Sequence, residues 1–143
     1  MNCPFCDKEI IATQKIYETQ TEYVIYNIRP ANKGHCLVVP KRHVQNITQL
    51  TDEEAASLIK TVKYIYKKLK EHLNPVGFNN GFNDGEYAGQ TVEHFHFHII
   101  PRFKNDNLPE FHLFHRDPKT KRNFSDEEIK PFVEEFRKIL NPL

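Results

Sequence analysis

The stretch His94-Phe95-His96-Phe97-His98-Ile99-Ile100 carries three histidines at alternate positions, separated and followed by large apolar residues. Successive side chains of a β-strand point to opposite faces, so the pattern predicts one face bearing three imidazoles and another burying Phe95, Phe97 and Ile99. Neighbouring rings would leave the backbone about 6.6 to 7 Å apart, close enough to flank one phosphate or one metal ion. Imidazole is partly neutral near pH 7 and acts there as nucleophile, proton carrier or ligand. Isolated histidines such as His72, His112 and His115 read as ordinary surface groups. Eight histidines scattered over this chain would seldom fall at i, i+2 and i+4.

The approach to this strand, Gly85-Glu86-Tyr87-Ala88-Gly89-Gln90-Thr91-Val92, supplies what an anion site needs. Glycines let backbone N–H groups come close, and Gln90 and Thr91 add neutral donors. Further upstream, residues 77–84 read as a polar strand. Residues 15–28 read as one or two strands, and Arg29-Pro30-Ala31-Asn32-Lys33-Gly34 turns the chain into a run from His35 to Val39 ended by Pro40. These form an antiparallel hairpin. Between them, residues 51–73 change to a helical period: Leu58, Ile59, Val62, Ile65, Tyr66 and Leu69 share a face, and Thr51 with Glu54 makes a capping box. Ser125 and Glu128 repeat that box ahead of Phe132, Val133, Phe136, Ile139 and Leu140, with Pro131 predicting a kink. Residues 105–123 are polar and proline-containing, without a sustained period, and read as a loop or arm. The expectation is an α+β fold in one domain over 1–143, an antiparallel sheet with one long helix and one shorter carboxy-terminal helix.

Twenty Lys and Arg against nineteen Asp and Glu leave a formal net charge of +1. That balance offers no overall field for nucleic acid or an anionic membrane. No run approaches the roughly 18 apolar residues of a membrane span, and Met-Asn-Cys-Pro-Phe-Cys is not a secretory leader, so a cytoplasmic protein is expected. Three cysteines argue for reduced thiols or metal ligands over a disulfide framework. Cys36, in an apolar strand, reads as core, and Lys41 and Arg42 as solvated charges.

Gly89-Gln90-Thr91-Val92-Glu93-His94-Phe95-His96-Phe97-His98-Ile99-Ile100-Pro101-Arg102 resembles the signature of the histidine triad nucleotide hydrolases and transferases. Asn27-Ile28-Arg29-Pro30, Gly34-His35-Cys36-Leu37-Val38-Val39-Pro40-Lys41-Arg42-His43 and Asn83-Asp84-Gly85 resemble its other blocks, so the likeness runs from 3 to 103, with 104–143 an extension outside it. The resemblance implies a histidine triad fold paired as a homodimer around the long helix. It implies that His96 attacks the α-phosphorus of an adenine nucleotide derivative and forms a nucleotidyl-histidine, from which water releases the monophosphate. His98, Gln90 and the backbone near Gly89 and Thr91 would stabilise the phosphate charge, and His94 would orient the site or bind metal. Asn27 would hold the ribose, Asn83 and Thr91 would contact the nucleotide, and His35 would lie near the reacting centre. Dinucleoside polyphosphates and nucleoside phosphoramidates are the implied substrates, and Pro101-Arg102 leans towards the former. The alternative is a nucleotide-binding signalling module with negligible turnover. Such a module would lose the middle histidine or the loop donors, which this chain keeps. The DNA-adenylate-removing branch carries a carboxy-terminal zinc finger for which no Cys/His array follows Phe103, and the sugar nucleotide-transfer branch has longer chains.

Cys3-Pro4-Phe5-Cys6 is a C-x2-C pair, half of a tetrahedral zinc site. The resemblance supplies His43 and His94 as the remaining ligands of a structural zinc, with no organic cofactor. Two unligated thiols are the alternative.

Overall fold

The computed structural model describes residues 2–110 and 123–142. Its centre is a five-stranded antiparallel sheet in the order β1-β2-β3-β5-β4, built from β1 (Lys15–Glu18), β2 (Glu22–Tyr26), β3 (Cys36–Pro40), β4 (Gly77–Gly81) and β5 (Phe97–Arg102). All five residues of β3 are buried, as a central strand covered on both faces requires. The expected hairpin is β2–β3, with Tyr26 opposite Cys36 and Glu22 opposite Pro40. The α+β class and the antiparallel sheet stand as read from the sequence.

Among the described residues three α-helices, one more than expected, pack on the sheet: α1 (Lys8–Gln14), α2 (Asp52–Leu73) and α3 (Asp126–Leu140). The additional helix, α1, starts on Asp7, whose carboxylate accepts from the Glu9 and Ile10 N–H groups. Both predicted capping boxes form: Thr51 with Glu54 at 2.9 and 3.1 Å, and Ser125 with Glu128 at 3.1 and 3.2 Å. Asn74 closes α2 in the left-handed conformation, its N–H donating to the Lys70 carbonyl. Pro131 does not break α3. It leaves the Glu127 carbonyl without an intrahelical donor, while Ile129, Val133, Phe136 and Leu140 hold the helix on the core.

The buried face of α2 differs from the expected stripe by one position. Ile59 is 52% exposed, whereas Thr61 is buried and donates its hydroxyl to Glu22 at 2.6 Å. Glu22 is itself buried and also accepts from the Ser57 and Thr21 hydroxyls, so a polar tie fixes the helix to β2. Lys41 and Arg42 are not merely solvated, since they pair with Glu18 and Glu54, while His72 is, as expected, a surface group, hydrogen-bonded to Glu135. His112 and His115 lie outside the described residues.

The carboxy-terminal helix is clamped to the amino-terminal third. Arg137 donates to the Lys15 and Ala12 carbonyls at 2.6 and 2.8 Å, and Asn141 donates to Ile16 at 2.9 Å. Phe132 and Phe136 stack on Tyr26, whose hydroxyl accepts from the Gly34 N–H and whose burial pushes its pKa up to about 12. Just ahead of α3, the Phe124 N–H donates to the Ile28 carbonyl at 2.7 Å, setting residues 123–126 beside the end of β2. None of the described helices is long and apolar enough to cross a membrane.

Gly34 sits where these parts meet, at φ +92°, and a Cβ there would lie 2.7 Å from Leu73 Cδ1 and 3.0 Å from Pro101 Cγ. Gly34→Ala should therefore destabilise the fold by about 1–3 kcal/mol through backbone strain and overpacking, measured as a lower urea midpoint at unchanged slope.

Candidate active site

The histidine motif is only half strand. β5 begins at Phe97, and His94 to His96 form the entry to it, held by the Phe95 N–H donating to the Val44 carbonyl at 2.7 Å. Phe95 and Ile99 bury in the core as expected, and Phe97 is half-buried against it. The three histidines then part company. His94 is fully buried among the amino-terminal cysteines, while His96 and His98, with ring centroids 5.1 Å apart, line a cavity of about 680 Å³.

His96 is oriented from within the chain. Its Nδ1–H donates to the His94 carbonyl at 2.8 Å, so Nε2 carries the lone pair, and no group among the described residues bonds to Nε2. Burial pushes its pKa below the ordinary histidine value and keeps the ring neutral at pH 7. The tautomer of His98 is set by a relay. The Ala31 N–H donates to His35 Nδ1 at 2.9 Å, which puts the His35 proton on Nε2, and Nε2 lies 3.0 Å from His98 Nδ1. His98 therefore accepts at Nδ1 and carries its own proton at Nε2. Asn27 stands at the same junction: its Oδ1 accepts from the Arg29 N–H at 2.9 Å, and its amide nitrogen is 3.1 Å from His35 Nε2.

The glycine loop forms one wall. Gly89, at φ +94°, leaves just enough room for Asn83, whose amide donates to the Gly89 carbonyl at 3.3 Å and whose Oδ1 is buried without a partner. Asn27, Asn83, Gly89, Thr91, His96 and His98 all line the cavity. Gln90 does not. Its amide donates to the Gln45 and Val92 carbonyls at 2.9 and 3.1 Å, and its Oε1 accepts from the Gly85 N–H at 2.8 Å. Three of its hydrogen bonds thus brace the loop that offers the wall, whereas the resemblance implies a place for it on the phosphate.

Several cavity residues were not foreseen. Pro4 and Phe5 of the cysteine turn, Ile10 and Gln14 of α1, Ile28, Arg29 and Leu37 of the hairpin, and Asn123 and Asp126 at the start of α3 all face it. Phe5 meets both His94 and His96 edge-on, at 5.8 and 5.2 Å.

Behind Phe5, donor atoms of Cys3, Cys6, His43 and His94 all lie within 4.8 Å of one another. The His94 Nε2–H donates to the Pro40 carbonyl at 2.7 Å, which turns an unprotonated Nδ1 towards the thiols. That Nδ1 is 3.4 Å from Cys3 Sγ, 3.5 Å from Cys6 Sγ and 3.1 Å from His43 Nδ1, and Cys6 Sγ is 3.3 Å from His43 Nδ1. Ideal tetrahedral zinc would set S···N at about 3.5 Å and N···N at about 3.3 Å. The donor set therefore fits a closed tetrahedral metal site. Cys36, by contrast, is buried apart from this cluster with its thiol pushed up to about 12 by desolvation.

The chain is similar in sequence and fold to known proteins. The HIT domain model matches residues 8–105. The chain is 38% identical over 132 residues to the protein named hit of Bacillus subtilis, covering 87% of this chain and 90% of that protein. It is 36% identical over 126 residues to a bis(5'-adenosyl)-triphosphatase of Dictyostelium discoideum, covering 83% and 85% respectively. Among solved structures, a zinc-bound histidine triad protein of Mycobacterium smegmatis superposes with a TM-score of 0.74 at 32% identity, covering 98% of this chain and 94% of that one. A paired set of histidines facing a cavity, the glycine loop beside them and these likenesses together establish that the chain belongs to the histidine triad, or HIT, family.

Proposed function

We propose that the protein hydrolyses adenosine-containing dinucleoside polyphosphates at the α-phosphorus through a nucleotidyl-His96 intermediate. The observation that carries this reading is the state of His96, a neutral ring with Nδ1 fixed on the His94 carbonyl and Nε2 open to the cavity. The likeness to a bis(5'-adenosyl)-triphosphatase supports the substrate class. In the first step Nε2 forms a bond to the α-phosphorus and the remaining nucleotide leaves with the electrons of the P–O bond. In the second, water attacks the same phosphorus, His96 is restored and the monophosphate departs. Splitting one displacement into two suits a nucleophile already aligned and neutral. His98, protonated at Nε2, would donate to a nonbridging oxygen, with the backbone at Gly89 and Thr91 assisting. Asn27 would hold the ribose, and Asn83 Oδ1, buried and unpartnered, leaves acceptor capacity for the substrate. His94 acts through its carbonyl on His96. Nucleoside phosphoramidates would react by the same steps with an amine as leaving group.

Zinc held by Cys3, Cys6, His43 and His94 would be structural, because four protein ligands close its shell. It would pin the Cys3–Cys6 turn, and with it Phe5, against the reacting histidines. Ligating thiols suit the reducing cytoplasm. A homodimer is the expected assembly, supported by the exposed Ile59 on α2 and by β4 as an edge strand of the described sheet.

Hydrolysis of diadenosine triphosphate in ¹⁸O-water should place the label in AMP and none in ADP. The His96→Asn variant should retain nucleotide binding and lose at least about 10⁴-fold in kcat/KM. Label in ADP would overturn attack at the α-phosphorus. Binding without turnover by the wild-type protein would favour the signalling module. For the metal, elemental analysis should find one zinc per chain, lost together with thiol protection from alkylation in Cys3→Ser.

A further inference from the structure

Gln14 is the last residue of α1, 7% exposed, and it lines the cavity. Its carboxamide has no hydrogen-bond partner among the described residues. Four other buried polar side chains are engaged: His35 by Ala31 and His98, His94 by Pro40, Gln90 by three backbone groups, and Glu22 by hydroxyls. An amide that lines the cavity with no partner of its own leaves both its donors and its acceptor available to whatever enters.

Its position tells what that something is. Ile10 and Gln14 are i and i+4 on α1, so they share the face turned to the cavity. Across the sheet the register runs His98 to Leu37, Leu37 to Ile25 and Ile25 to Lys15, the residue after Gln14. Three strand spacings of about 4.8 Å put Gln14 roughly 14 Å from the phosphate-binding histidine, on the scale of a nucleoside monophosphate laid across the strands. The span between is lined by Leu37, Ile28 and Ile10, an apolar bed for a flat ring. Arg29, whose Nε is buried and likewise unpartnered, lines the same cavity.

We infer that the Gln14 carboxamide reads the edge of the nucleobase, accepting from the 6-amino group of adenine and donating to an adjacent ring nitrogen. This inference rests on the nucleotide-site reading above and adds to it the residue that sets base specificity. A glutamine amide presents donor and acceptor side by side, the complement of the adenine edge.

The test is a cycle between protein and ligand by isothermal titration calorimetry, using the full chain with adenosine 5'-monophosphate and with purine riboside 5'-monophosphate, which lacks the 6-amino group. Wild-type protein should bind the adenine nucleotide about tenfold more tightly, and Gln14→Leu should bind the two alike. Ribose 5-phosphate should bind wild type and variant equally, reporting an intact phosphate end. Equal binding of both nucleotides by the wild-type protein would overturn the inference with no variant needed. So would a preference that survives in Gln14→Leu. Failure of either nucleotide to bind the wild-type protein would instead overturn the nucleotide-site reading itself.

Discussion

The orientation of His96 in the cavity is set by one residue that does not face it. His94 is held three ways: its Nε2–H on the Pro40 carbonyl, its Nδ1 towards the two thiols and His43, and its own carbonyl on His96 Nδ1–H. The first bond sets the His94 tautomer, the second ties the amino terminus to the sheet, and the third decides which nitrogen of His96 is left to react. A buried ring in this position has little freedom to rotate, so His96 inherits its orientation from β3 and the cysteine turn. The relay through Ala31, His35 and His98 does the same for the second imidazole from the hairpin side. The tautomers of His94, His96 and His35 are thus fixed by backbone groups and that of His98 by the buried His35 ring, so none depends on an exposed side chain.

The cavity itself is assembled from segments far apart in the chain. The cysteine turn and α1 supply one side, the end of β2 and Leu37 another, the glycine loop and β5 a third, and the start of α3 the last. The ties that close it are mostly side chain to backbone: Arg137 to α1 and β1, and Gln90 within its loop, with the Phe124 N–H on Ile28 as a backbone pair. Asn123 and Asp126 of the carboxy-terminal extension are therefore part of the pocket wall. That extension falls mostly beyond residues 8–105, the span of the family match.

Much of this was legible in the residues. The alternating histidines, the glycine loop and two capping boxes are local patterns, and each marks a real feature. What escaped was set by contacts remote in sequence. Two adjacent isoleucines in seven residues show too little period to announce α1, although Asp7 followed by Glu9 is a helix-start signal that could have done so. Thr61 replaces Ile59 on the buried face because Glu22, nearly forty positions earlier, is buried opposite it. Gln90 has the right chemistry for a phosphate, yet the carbonyls of Gln45 and Val92 take its amide, and sequence spacing carries no sign of that. The resemblance places His94 beside Cys3, Cys6 and His43, but the period-2 pattern alone keeps it in the row of histidines, because nothing local shows that Pro40 and the thiols take its ring.

The account stands on covalent catalysis by His96, and intact-protein mass spectrometry tests it most directly. Protein mixed briefly with diadenosine triphosphate and then quenched without strong acid should gain one adenylyl mass, and fragmentation should map it to His96. Turnover with no such adduct at any mixing time, or an adduct mapped to another residue, would contradict the account.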